Sequence, residues 1–194
     1  MTVSEEKRTL RKALRTRELA LSNEYQARSG AVIVNALLSM DAYQNADCVC
    51  CFVGTGPEID TRPVLSDALS SGKRVCVPLC VGRGVMRMRR IASVNELSPG
   101  AFGIPEPSPD TPTVAPSDID FLIAPCLACD RSGRRLGRGG GYYDRFLSDY
   151  RGASVLLCRE AMLLDRVPTD SYDVIIPLVL SENGLYRNGV LYKI

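Results

Sequence analysis

The chain has 194 residues, is 45% hydrophobic, carries a formal net charge of +2, and contains eight cysteines and no histidine. That length and apolar content suit one well-buried domain, 1–194, and hardly two. The near-neutral charge lacks the basic excess of a nucleic-acid-binding protein, no apolar run reaches membrane-spanning length, and the missing histidine removes Ser-His-Asp and Cys-His catalysis. The first residues, MTVSEEKRTLRKALRTREL, are charged throughout and do not read as a signal peptide, so a soluble cytoplasmic protein is expected, with no nucleic-acid or membrane partner.

In chain order, the first element reads as a helix. Ser4 is expected to cap it, with Glu5 and Glu6 in the first turn and Leu10, Ala13, Leu14 and Leu21 at helical spacing. Its other face carries Lys7, Arg8, Arg11, Lys12, Arg15 and Arg17. Ser22 caps a second helix, Asn23 to Ser39, turning Tyr25, Val32, Ala36, Leu37 and Met40 inward. CVCCFVG is a buried strand suited to a parallel sheet, IDTRPVLSDALSSG a helix from Thr61 to Gly72, and RVCVPL a second buried strand. VMRMRRI alternates as a half-exposed strand, with Arg87, Arg89 and Arg90 expected in solvent. Ser98 to Ser117 holds six prolines and reads as a surface loop. DIDFLIAP, ASVLLC and YDVIIPLVL give three further strands, YYDRFLSDY a helix, and Asn188-Gly189 a closing hairpin. Strands alternating with helices predict an α/β domain of three layers around a mainly parallel central sheet.

The cysteines sit mostly in apolar runs, where they act as small hydrophobes. Cys126 and Cys129 form a C-x-x-C without an evident second ligand pair, a weak zinc or redox signal, and reduced structural thiols are expected.

The densest chemistry lies in RRLGRGGGYYDRFL, Arg134 to Leu147. A strand precedes it and a helix follows. Glycines admit positive φ and close backbone approach, a helix N-terminus offers free N–H groups, and Arg134, Arg135 and Arg138 add charged donors. This favours an anion, most simply a nucleotide phosphate, over a solvated arginine-rich turn. It is neither a Walker A loop, lacking Gly-Lys-Ser/Thr, nor the dinucleotide fingerprint, since Tyr142 and Tyr143 stand where a third glycine would fall.

RLGRGGGYYDRFL, preceded by APCLACDRSGR, resembles the signature of the 5-formyltetrahydrofolate cyclo-ligase family. KRTLRKALR, GTGPEIDTRPVL, FGIPEP and VPTDSYDVIIPLVLSENG resemble further segments of that family in the same order. The resemblance implies a fold like ribose-5-phosphate isomerase and coenzyme-A transferase. It implies conversion of 5-formyltetrahydrofolate, with or without a polyglutamate tail, to 5,10-methenyltetrahydrofolate with ATP and magnesium. In that chemistry the formyl oxygen attacks the γ-phosphate and N10 closes on the activated carbon. A monomer is expected.

The resemblance also implies roles. Lys7, Arg8 and Arg11 would reach ATP, and Arg135, Leu136, Gly137, Arg138, Gly139, Gly140, Gly141, Tyr142 and Tyr143 would wrap its phosphates. Arg138, Tyr143 and Asp144 would be catalytic, with Asp144 and Asp173 as magnesium ligands. Glu58 would meet the pterin edge, whose N–H groups suit a carboxylate, with Val53, Met86 and Phe102 as apolar neighbours and Gly139, Gly140, Gly141, Tyr142 and Tyr143 close to the folate. Phe102 stands where some members have tryptophan, Tyr172 where many have histidine, and the C-x-x-C where small or apolar residues are usual. A folate binder without turnover and a sugar-phosphate isomerase are the competing readings. The second would want an acid/base pair that a histidine-free chain supplies poorly.

Overall fold

The computed structural model describes residues 2–193. Helix α1 (Val3–Leu19) is capped by Thr2 and not by Ser4. The reason is spacing. Glu5 stands three residues after Thr2, so Thr2 Oγ1 accepts from the Glu5 amide at 3.3 Å while the Glu5 carboxylate accepts from the Thr2 amide at 2.8 Å. Ser4 has Lys7 at that offset, which cannot reciprocate. Thr2→Ala is expected to cost about 1 kcal/mol in urea unfolding, and an unchanged midpoint would refute the cap. The helix buries Lys7, Leu14 and Glu18, and Ala13 faces solvent rather than the core.

Helix α2 (Asn23–Leu38) is capped by Ser22 as its sequence indicates. It buries Ser29, Gly30, Ile33, Val34 and Leu37. Val32, expected inward, is exposed, because one residue of helix rotates it off that stripe. A short α3 (Asp41–Gln44) leads into β1 (Cys48–Cys51), then α4 (Arg62–Ser70), β2 (Arg74–Gly82) and β3 (Val85–Ile91).

The proline-rich stretch is only partly a loop. It forms β4 (Ser98–Pro99) and β5 (Pro105–Glu106), paired with each other, and β6 (Thr113–Val114), which joins the edge of β3. That return covers Arg89, whose Nη1 donates to Thr111 O at 2.7 Å, so Arg89 is not the solvent-facing residue its alternation suggested. The strands β7 (Phe121–Ala124), β8 (Ala128–Asp130) and β9 (Arg135–Leu136) come next. They are followed by α5 (Tyr142–Asp149), β10 (Ala153–Leu157), β11 (Leu163–Leu164), β12 (Leu178–Ser181), β13 (Gly184–Arg187) and β14 (Val190–Tyr192).

The main sheet runs β14-β13-β12-β10-β7-β1-β2-β3-β6. Its centre, β12 to β2, is parallel, and antiparallel strands close both edges. Alternation along each central strand divides the core. Cys48 and Cys50 pack with Leu14 and Leu147 on the α1 and α5 side, while Val49 and Cys51 pack with Ile33, Leu37 and Leu65 on the α2 and α4 side. This is the expected α/β arrangement of helices on both faces of a central sheet. YDVIIPLVL contributes only its last residues to a strand. Pro177 has no amide to donate, and the preceding Ile176 amide bonds Gly133 O at 3.1 Å instead. At the end of the chain Asn188 (φ 50°) and Gly189 (φ 87°) turn β13 into β14, the left-handed pair that a two-residue hairpin needs. Among the described residues no helix is long and apolar enough to cross a membrane.

Candidate functional site

A second, small sheet, β11-β8-β9, stands beyond the carboxyl end of β7 and delivers the glycine loop 137–141 to the start of α5. Gly139 (φ 107°) and Gly141 (φ 69°) hold conformations that side chains resist. The loop's carbonyls are tied down by arginines. Arg11 Nε donates to Gly137 O at 2.9 Å, Arg15 to Arg138 O at 3.3 Å, and Arg145 to Gly140 O and Gly141 O at 3.2 Å each. The amides of Gly139, Gly140 and Gly141 find no acceptor among the described residues. Fixed carbonyls and free amides beside a helix N-terminus make a cradle for an anion.

Charged side chains converge on the same loop. Arg135 is buried on β9 and donates to Asp144 Oδ1 at 2.7 Å, and its guanidinium lies 5.6 Å from the centre of the Tyr143 ring. Its Nη1 is buried without an oxygen partner. Burial first, then the nearby Cys50, holds the Tyr143 phenol well above its ordinary range, so it stays a neutral donor. The Asp144 carboxylate also meets the Val174 amide at 3.4 Å, which brings it beside Asp173. Lys7 enters from α1, buried, and pairs with Asp173 and with Asp170, the latter at 3.1 Å. Asp173 additionally accepts from the Asp170 amide at 2.7 Å.

These two aspartates suit a hard cation. Asp144 Oδ2 and Asp173 Oδ1 have no protein donor among the described residues. Magnesium typically takes one or two carboxylates and completes its shell with water and phosphate oxygens. The donor set therefore fits magnesium held jointly with a nucleotide.

Arg138 reaches outward from the loop. Its two terminal nitrogens fork onto Glu18 at 3.0 and 3.3 Å, and its Nε donates to Glu58 at 3.0 Å. Glu58 also accepts from the Thr55 amide at 3.1 Å. Tyr142 meets Phe102 edge-on, with ring centres 6.2 Å apart. Phe102 is 79% exposed at φ 59°, a left-handed conformation that is costly for a bulky residue and holds the ring out over the loop. Met86 and Val53 are buried, on β3 and just after β1.

Of the residues singled out in the sequence, the structure gathers Lys7, Arg11, Arg135, Leu136, Arg138, Asp144, Asp173, Glu58, Phe102, the glycines and both tyrosines around one loop. Arg8 lies on the exposed face of α1 and joins none of these contacts. Three participants were not foreseen: Glu18, Arg145 and Arg159. Glu18 was legible, since Lys7, Arg11, Leu14 and Glu18 recur at one helical face. Arg145 stands four residues after Gly141 and could have been read as a clamp on the loop. Arg159 carried no local signal. It is buried just past the end of β10, where it holds Pro57 O at 2.8 Å and Glu58 O at 3.4 Å and so sets the Glu58 segment.

The model of the 5-formyltetrahydrofolate cyclo-ligase family matches residues 3–182. A 5-formyltetrahydrofolate cyclo-ligase of Escherichia coli (strain K12) is 30% identical over 180 residues, spanning 90% of this chain and 99% of that protein. The Mus musculus 5-formyltetrahydrofolate cyclo-ligase is 27% identical over 202 residues, spanning 95% of this chain and 97% of its own. The solved structure of Aquifex aeolicus 5,10-methenyltetrahydrofolate synthetase superposes with a TM-score of 0.84 at 29% identity, covering 97% of this chain and 95% of that one. The likeness therefore extends along the whole chain and is not confined to the glycine loop.

Proposed function

The chain belongs to the 5-formyltetrahydrofolate cyclo-ligase family and is an enzyme of that family, and on this premise we propose that it converts 5-formyltetrahydrofolate and ATP to 5,10-methenyltetrahydrofolate, ADP and phosphate. The observation that carries the ATP half of the reading is the glycine loop. Its carbonyls are held by Arg11, Arg15 and Arg145, and the amides of Gly139 to Gly141 have no acceptor among the described residues.

In this reading the formyl oxygen of the folate attacks the γ-phosphorus, ADP departs, and N10 then closes on the activated carbon, giving up its proton as phosphate leaves and carries that proton away. Every bond made or broken belongs to the two substrates, so the protein's task is alignment and charge neutralisation. The loop amides bind the phosphates, and Arg138 adds a cation at the loop's tip. Magnesium, when bound at Asp144 and Asp173, would screen the charge of the triphosphate. Lys7 orients Asp173 and Arg135 orients Asp144. The carboxylate of Glu58 accepts from the donor edge of the pterin in place of Arg138, with which it is paired. Tyr143, held neutral, can donate a hydrogen bond without losing its proton.

The test is a single mixture of protein, ATP, magnesium and 5-formyltetrahydrofolate, followed by near-ultraviolet absorbance. Growth of the methenyl chromophore that requires both ATP and magnesium is expected. Tight folate binding with no product would leave a binder in place of the enzyme. Phe102→Ala should raise the KM for the folate by about fivefold with kcat nearly unchanged, since an exposed stacking ring contributes ~1 kcal/mol to ground state and transition state alike. A fall in kcat with KM unchanged would remove Phe102 from the binding surface.

A further inference from the structure

The sulfur atoms of Cys126, Cys129 and Cys158 lie within 4.8 Å of one another. Three separate segments bring them there. Cys126 follows the end of β7, Cys129 lies on β8, and Cys158 follows the end of β10, the parallel neighbour of β7. The C-x-x-C of the sequence thus has a third partner that its spacing does not reveal. All three are free thiols. Cys129 and Cys158 are buried, and Cys126 is half-buried in a cavity that it shares with Glu18, Glu58, Met162 and Arg159.

We propose that Cys126, Cys129 and Cys158 form a three-thiolate site for a soft d10 cation such as Zn2+. Zn–S bonds of about 2.3 Å place tetrahedral thiolates about 3.8 Å apart, so the three sulfurs need to draw in only slightly from where they stand. Thiolates select this class of cation over the hard magnesium that suits Asp144 and Asp173. Coordination releases the thiol protons to solvent, and the excess negative charge it leaves falls within the field of Arg135 and Arg159, both buried nearby. The cavity beside Cys126 gives the cation an entry path and leaves its fourth position to water. An apolar packing role alone would need neither the convergence of three sulfurs nor the opening at Cys126.

The site does not depend on the cyclo-ligase reading, and its test reads bound metal rather than turnover. The reduced full chain, stripped with a chelator, is titrated with Cd2+. Sulfur-to-cadmium absorption in the ultraviolet should saturate at one ion per chain, be unaffected by excess Mg2+, and be lost in Cys158→Ser while Cys80→Ser retains it. Because a substitution at Cys158 can disturb the core, the unaltered chain is also pulsed with iodoacetamide. Metal should protect Cys126 from alkylation and leave the half-buried Cys80 labelled equally with and without it. No absorption at one equivalent, absorption that survives Cys158→Ser, or unprotected Cys126 would each overturn the proposal.

Discussion

Replacing Asp144 with asparagine is expected to lower kcat by about 100-fold or more and to weaken the magnesium dependence of turnover, while the protein still folds. The asparagine keeps an oxygen for Arg135, which donates to Asp144 at 2.7 Å, so the buried guanidinium retains its partner. What disappears is the negative charge beside the phosphates. Loss of a charge-assisted bond costs about 1–2 kcal/mol of stability at such a site, measurable by urea unfolding. A kcat within about threefold of the parent, with an unchanged magnesium titration, would show that Asp144 serves only to hold Arg135.

The second large effect is at Lys7. Lys7→Met should destabilise the protein by about 3–5 kcal/mol, because it strips the buried cation from Asp173 and leaves that carboxylate uncompensated. It should also release the segment that carries Asp173, so KM for ATP rises. The double variant Lys7→Met/Asp173→Asn discriminates. Removing the orphaned charge should restore at least ~1 kcal/mol of the lost stability, whereas strictly additive losses would mean that the two residues do not act as a pair. Asp170, more exposed at 41% of its side chain, should couple to Lys7 more weakly.

The parallel centre of the sheet was legible because its strands are continuous apolar runs, buried on both faces. DFLIAP and CVCC announce themselves in that way. The small β11-β8-β9 sheet was not, since runs of two or three residues carry no period. The glycine loop with its left-handed residues ahead of α5 was legible, but the use of its arginines was not. Arg11 was expected to face a phosphate, and it holds the Gly137 carbonyl instead, with Arg15 of the same helix on the Arg138 carbonyl. Nothing local distinguishes a guanidinium that binds a ligand from one that shapes the ligand's cradle. The Glu58–Arg138–Glu18 link joins residues 80 and 120 positions apart, a pairing set by sheet order and invisible to any pattern along the chain. Cys158 was missed for the same reason. Its closeness to Cys126 follows from β7 and β10 being neighbours in space.

We propose that the formyl oxygen of the folate takes the γ-phosphoryl group of ATP bound over the glycine loop. It is tested most directly with 5-formyltetrahydrofolate carrying oxygen-18 in its formyl group. Turnover by the full chain with ATP and magnesium should release inorganic phosphate that carries the label, one labelled oxygen for each methenyl product. Methenyl product accompanied by unlabelled phosphate, with the heavy oxygen recovered in water, would contradict it.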